Sequence, residues 1–181
     1  ETQLILADEL IARIVVHSSR QSGLSTVYTE LLDFDGSEIY TAEVPSLAGT
    51  FFGHAVMGFE ASTLIGICDR AGNVHINPPM NRKFESGDQG IFIAEDDSAI
   101  KPAATPPNVQ ANAVRKATPR ALNPERTLIL GWNRRGPIIA NELSRYVAPG
   151  SHLTIAANSA KLDSDTDNLA IEGHNLTVEL I

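Results

Sequence analysis

The stretch Thr127-Leu128-Ile129-Leu130-Gly131-Trp132-Asn133-Arg134-Arg135-Gly136-Pro137 decides how the C-terminal third of the chain is read. A short apolar run ending at a glycine has the pattern of a buried parallel strand. Pro137 falls in the first turn of the segment that follows, where its missing N–H costs a helix little. Ile138, Ile139, Leu143 and Val147 then recur at helical spacing until Pro149-Gly150. His152 to Ala157 reads as a second strand and Leu176 to Ile181 as a third. Strand, glycine turn, helix and strand are the opening of a dinucleotide-fold sheet, which here stops short of a complete domain.

A full fingerprint for that fold is G-x-G-x-x-G, with glycines for the turn, the pyrophosphate approach and the helix packing. Gly131 and Gly136 supply the first and third, but Asn133 stands at the second, where a side chain crowds a phosphate. The place of the ribose-binding acid holds Asn158. Gly131, Asn133, Arg134, Arg135 and Gly136 are therefore candidate cofactor-binding residues of a degenerate nucleotide motif. Arg134 and Arg135 would offer anion contacts at a helix N-terminus, but a solvated positive pair is the preferred reading of them. The expectation is a structural remnant of the fold that takes no NAD and no other cofactor.

Upstream, residues 101–125 hold five of the ten prolines and six alanines, too little apolar bulk for a core, and read as a semi-extended linker. They carry a net charge of +3, against −10 for residues 1–100 and −1 for residues 126–181. An acidic front half argues against nucleic acid, whose phosphates are bound by clustered Lys and Arg.

Residues 1–100 read as a closed run of elements. Residues 2–20 form a helix with Leu6, Leu10, Ile14 and His17 on one stripe and Ile5, Ile11 and Val15 widening it. That stripe is too wide for a lone surface helix and suits a dimer. Residues 24–33 form a second helix, and Ser37 to Val44 a strand ended by Pro45. Residues 46–58 read as a helix and Thr63 to Cys68 as a strand. Asp69-Arg70-Ala71-Gly72-Asn73 is a hairpin turn, with Val74 to Asn77 returning and Gln89 to Ala94 as a final strand. The two leading helices are expected to cover these strands. Residues 126–181 by themselves are expected to leave a sheet face with Ile129, Ile155 and Val178 open to water, and to be ordered only when packed on residues 1–100, on another subunit or on a continuation.

The chain has 181 residues, 43% apolar and 20% charged, and no apolar run approaches the ~20 residues a bilayer span needs. Its single cysteine, Cys68, reads as a small hydrophobe. Residue 1 is Glu and no signal peptide follows, so the chain reads as a piece of something longer. Asp163-Ser164-Asp165-Thr166-Asp167-Asn168 opens like a calcium loop. However, Asn168 stands where Gly belongs and His174 where Glu belongs, so an acidic surface loop is expected. Glu95-Asp96-Asp97 reads as solvated acids, and the five histidines show no metal spacing. No metal site is expected. No nucleophile–base constellation appears either, so no catalytic residue and no enzyme are expected.

Several strings carry a resemblance: Leu10-Ile11-Ala12-Arg13-Ile14, Glu38-Ile39-Tyr40 running to Val44-Pro45, and Ile76-Asn77-Pro78-Pro79. Gly87-Asp88 with Ile91 to Asp97, and Leu130-Gly131-Trp132-Asn133-Arg134-Arg135, complete it. Together they resemble the cytosolic region of the Castor/Pollux family of ion channels, related to RCK (regulator of potassium conductance) and TrkA-type modules. The resemblance implies an α+β RCK C-terminal lobe joined by a Pro/Ala-rich linker to a partial α/β Rossmann-like segment. Residues 1–35 would be crossover or dimerisation helices and 36–100 the C-terminal lobe. Residues 101–125 would be the linker and 126–181 the start of a second, incomplete Rossmann-like lobe. It further implies a gating-ring module of a cation channel, on the cytoplasmic side of a membrane. Such a module assembles as a homo-oligomer, a dimer or ring, with the pore domain upstream and no membrane insertion of its own. Two alternatives stand beside it. One is a ligand-sensing TrkA-type subunit of a separate potassium transporter. The other is a fragment of an NAD-dependent oxidoreductase, which would need an intact fingerprint and a catalytic His or Tyr–Lys pair.

Overall fold

The computed structural model describes residues 7–33, 35–105, 110–113, 115, 121–158 and 175–181. Ile5 and Leu6 of the first stripe, Pro106, Pro107 and Pro119 of the linker, the Asp163–Asn168 loop and His174 lie outside the described residues. The chain divides into two compact units, Thr26–Arg115 and Glu1–Ser25 with Lys116–Ile181.

In the unit Thr26–Arg115, α2 (Leu24–Leu32, most of which falls here) precedes β1 (Glu38–Ala42), a short α3 (Phe52–Ala55), β2 (Ser62–Cys68), β3 (Val74–Ile76) and β4 (Gln89–Ala94). The strands form one antiparallel sheet in the order β1-β4-β2-β3. Tyr40, Phe92 and Leu64 stand opposite one another across it. Leu47, Phe52, Ala55, Leu64, Ile67, Phe84 and Phe92 make the core.

The expected helix over 46–58 is interrupted. A 3₁₀ turn covers Pro45–Leu47, and only Phe52–Ala55 is α-helical. Long-range backbone bonds explain the break. The N–H groups of Gly49, Phe52 and Gly53 donate to the carbonyls of Phe84, Arg82 and Met80. Phe51 is extended and bridges Lys83. A segment whose donors are taken by residues 80–84 has none left for a continuous i→i−4 ladder.

In the other unit, α1 (Ala7–Arg20), β5 (Arg126–Leu130), α4 (Gly136–Tyr146), β6 (Ser151–Ala156) and β7 (Leu176–Leu180) come together. The strands are all parallel, in the order β5-β6-β7. The core is Val16, Trp132, Ala140, Leu143, Val147, Leu153 and Ile155, with Ile129, Leu176 and Val178 packed against it. Ile129, Ile155 and Val178, expected open to water in residues 126–181 alone, are thus packed in a core to which α1 contributes Val16. Among the side chains left open are Leu128 and Leu130, 56% and 78% exposed, which alternate with Ile129 along β5, and Leu180 of β7.

The first helix also differs from expectation. It packs on α4, within the unit that also holds the parallel strands. Its buried residues are Ala12 and Val16, while Leu10, Ile11 and Val15 face outward. The seam is narrow and small-sided, since Ala12 on α1 and Ala140 on α4 are both fully buried. Along the seam His17 meets the Tyr146 ring edge-on at 4.7 Å, so His17 is a packing residue. Charge fastens the ends and the middle. Arg20 clasps both carboxylate oxygens of Glu125 at 2.6 and 3.1 Å, and Arg13 lies 3.7 Å from Glu142. Among the described residues no helix is long and apolar enough to cross a membrane.

The β2–β3 hairpin closes on one side chain. The Asp69 carboxylate accepts the N–H groups of Ala71 and Asn73, both at 2.9 Å, and the Asn73 side-chain amide. Those donors hold its carboxyl at about 2, below the ordinary 3.8, the Asn73 bonds contributing most. A depressed carboxyl stabilises the fold above its ordinary pKa and loses that contribution as pH falls through the folded value. Amide protection of Ala71 and Asn73 is therefore expected to persist above the ordinary value of 3.8 and fade as pH falls towards about 2. Asp69→Ala should abolish that protection at neutral pH. Hydrogen exchange read by NMR checks both, and unchanged protection in the variant would refute the capping role.

Candidate functional site

The glycine turn between β5 and α4 is built from its own side chains. Gly131 has a φ of +86°, the left-handed region that glycine enters without strain, and its N–H donates to the Ala156 carbonyl at 2.8 Å. That bond ties the end of β5 to β6. Asn133, at the place of the middle glycine, caps the turn twice. Its side-chain Oδ1 accepts the Arg135 N–H and its carbonyl accepts the Gly136 N–H, both at 2.8 Å. Two of the donors a pyrophosphate would otherwise find at this helix start, the Arg135 and Gly136 N–H groups, are thus bonded to Asn133.

Trp132 turns inward and is only 6% exposed. A Cβ built on Gly136 would lie 2.6–2.7 Å from three carbons of the indole. The third glycine is therefore required by the tryptophan, which occupies the space a side chain would need. Its Nε1 is buried with no hydrogen-bond partner among the described residues. Around the turn, Ile129, Leu130, Gly131, Asn133, Ile139 and Asn158 line a cleft of about 580 Å³.

The two arginines converge on one carboxylate. Arg135 Nε donates to Asp8 Oδ1 at 2.7 Å, and Arg134 lies 3.7 Å from Asp8 Oδ2. The Arg135 hydrogen bond, aided by the charges of both guanidinia, holds the Asp8 carboxyl below the ordinary carboxylate range. All five sequence-selected residues thus lie in one turn, where Gly131 and Gly136 shape the backbone, Asn133 caps it, and both arginines face Asp8. Asp8 was not a sequence candidate. An acid in a helix's first turn is expected at any helix start, and nothing local points to a partner 127 residues away.

Glu142 is a second polar centre the sequence hid. It is 7% exposed and takes the Tyr146 hydroxyl at 3.1 Å and Arg145 at 3.3 Å. Burial first, and then the Glu142 hydrogen bond, push the Tyr146 hydroxyl above its ordinary pKa. Of the acidic cluster, Asp96 caps a short 3₁₀ turn by accepting the Ser98 N–H at 2.8 Å. Among the described residues no group of three or more His, Cys, Asp or Glu side chains is placed to hold a metal ion.

The Trp132–Gly136 contact makes a direct prediction. Gly136→Ala is expected to overpack the turn and destabilise its unit by about 1–3 kcal/mol. Trp132 is the only tryptophan in the chain, so its emission reports the change. A variant with unaltered emission and an unaltered melt would show that the indole moves aside freely.

Comparison with known proteins places the chain. A family model described as "Castor and Pollux, part of voltage-gated ion channel" matches residues 8–110. The probable ion channel POLLUX of Oryza sativa subsp. japonica is 30% identical over 153 residues, 83% of this chain and 16% of that protein. The ion channel CASTOR of Lotus japonicus is 30% identical over 153 residues, 83% of this chain and 18% of that protein. The chain thus spans less than a fifth of the length of these relatives. The human SLO3 gating ring superposes with a TM-score of 0.62 at 14% identity, covering 96% of this chain and 39% of that one. The mixed α/β architecture described above is therefore a fold shared with that gating ring. On the match to residues 8–110, the chain belongs to the Castor and Pollux family.

Proposed function

We propose that this chain is a regulatory module of an ion channel, a soluble part that assembles beside a pore and conveys assembly or ligand state to it. The observation that carries the reading is the superposition of 96% of the chain on a channel gating ring, in a chain of the Castor and Pollux family. Relatives named as ion channels support a channel over a dehydrogenase fragment, and the described turn offers no catalytic pair. The finer assignments, a cation as the conducted ion and a cytoplasmic position, follow from that reading. The pore belongs to the remainder of a protein of which this chain would be less than a fifth.

Such a module needs a surface for its own copies. α1 supplies one, since Leu10 and Val15 are 51% and 43% exposed and Ile11 lies between them. Large apolar side chains kept outward on a helix already docked by its small face suit a second copy of the chain. The chain is expected to be a dimer or larger at tens of micromolar by light scattering. Leu10→Glu with Val15→Glu should shift it towards monomer without loss of helix content. A strictly monomeric wild-type chain would count against the ring reading.

The glycine turn fits a dinucleotide poorly. Asn133 bonds the Arg135 amide, Trp132 fills the space over Gly136, and Asp8 holds both arginines. The module is expected to bind NAD and NADH weakly or not at all. Calorimetric titration giving a dissociation constant of about 1 μM, about −8 kcal/mol, would overturn the reading of this turn as a remnant.

A further inference from the structure

We infer that Asp8 is a built-in anion for the glycine turn. By docking α1 against α4, the chain places its own carboxylate on Arg134 and Arg135 and closes the turn to phosphate-bearing ligands. An anion with phosphate-like oxygens competes with Asp8 and releases the first turn of α1. The latch is internal to one unit, so it stands or falls independently of self-association.

The geometry carries the inference. Two adjacent guanidinia at the start of α4 present donors on the same side and meet a single carboxylate, one oxygen each, at 2.7 and 3.7 Å. The carboxylate comes from an element 127 residues away in the chain, so no local turn geometry forces the contact. The arginines are accessible, with side chains 77% and 36% exposed, and Asp8 is 40% exposed. A solute can therefore reach them without unfolding the unit. Guanidinia bind carboxylates and phosphates through the same paired N–H···O geometry, so the two anions are chemical competitors for one place.

Release is local. The remainder of α1 stays fastened by Arg13 to Glu142, by Arg20 to both oxygens of Glu125, and by the buried Ala12 and Val16. The neighbouring acid, Glu9, faces Arg13 at 3.9 Å and does not reach the turn. Only Ala7 to about Ile11, the part above the first fastening, needs to move. That is the part that begins the helix and carries the outward Leu10 and Ile11. Loss of Asp8 from the arginines would thus loosen the end of the same helix that presents the apolar surface.

The test uses the full 181-residue chain with inorganic pyrophosphate as probe, titrated at low and constant ionic strength. Asp8→Asn keeps the side-chain shape and removes the charge. It is expected to bind pyrophosphate at least about tenfold more tightly than wild type, since both guanidinia become available for charge-assisted hydrogen bonds. Adding Arg134→Gln and Arg135→Gln to Asp8→Asn should abolish the gain. Glu9→Gln, which removes a neighbouring charge outside the latch, should leave pyrophosphate binding at the wild-type level. A second measurement needs no variant. Amide exchange at Ile11, Ala12 and Arg13, whose bonds close the first turn of α1, should quicken in wild type at saturating pyrophosphate. Sodium chloride of the same ionic strength should leave it unchanged. An Asp8→Asn chain that binds no better than wild type would overturn the inference. So would exchange in α1 that pyrophosphate leaves unaltered, or a gain that survives loss of both arginines.

Discussion

The unit that holds the glycine turn is organised around one contact, the indole of Trp132 lying on the α-carbon of Gly136. The indole reaches the core between strand and helix, beside Leu153, Ile155 and Ala140. Gly136 is the first residue of α4, so the depth at which the indole sits fixes how closely that helix begins against β5. Gly131 then bends the chain sharply enough to bring the two together, and its N–H bond to Ala156 ties the bend to the next strand. In a working dinucleotide fold the third glycine serves helix–strand packing and the second admits the pyrophosphate. Here Gly136 packs against a tryptophan, and the place of the second glycine holds an asparagine that bonds the turn's own amide.

Electrostatics in this unit follows from the same turn. With the helix start capped by Asn133, the remaining positive groups are Arg134 and Arg135, and they are neutralised by Asp8 rather than by solvent alone. Along α1 the pattern repeats with the signs reversed, as Arg13 and Arg20 face Glu142 and Glu125. Exposed ion pairs of this kind contribute little each, because water screens them in the folded and unfolded states alike. They do set register, since sliding α1 along α4 would set like charges against one another. Glu142 differs from the others in being buried. Tyr146, Arg145 and Arg13 gather on it because an unpartnered carboxylate at that depth would be costly.

Much of this architecture was legible in the sequence, and the misses share a cause. The hairpin at Asp69–Asn73 could be read because its stabilising bonds run between residues two to four apart. β4 and β5 could be read because each is an apolar run closed by turn residues. Residues 46–58 could not, since their donors are satisfied by residues 80–84 and no local pattern records that. For α1 the apolar residues encircle so much of the helix that the sequence could not say which face docks. The structure buries Ala12 and Val16, the least bulky choice. In the candidate site the turn itself was legible, because Gly131, Asn133 and Gly136 are contiguous with the apolar run of β5 and the start of α4. The sequence could not locate Asp8, whose contact depends on the docking of a helix far away in the chain, nor show that the Trp132 indole fills the space beside Gly136.

The docking of α1 has a consequence for how the unit can respond to its surroundings. A helix held by a broad apolar face moves only if a large hydrophobic contribution is lost, and small solutes do not supply that difference. A helix held by two small buried residues and a row of ion pairs answers instead to charge, through competing anions and through screening. α1 is of the second kind, with its larger apolar residues facing away from the unit that anchors it. Leu10 and Ile11 belong to the end of α1 that Asp8 fastens, so whatever covers them is coupled to that contact. A ligand that binds one setting of α1 better than another shifts the population of settings by its differential affinity, and the outward face shifts with it. This division of labour, charge inward and apolar surface outward, suits an element whose position has to be adjustable more than one that only has to be stable.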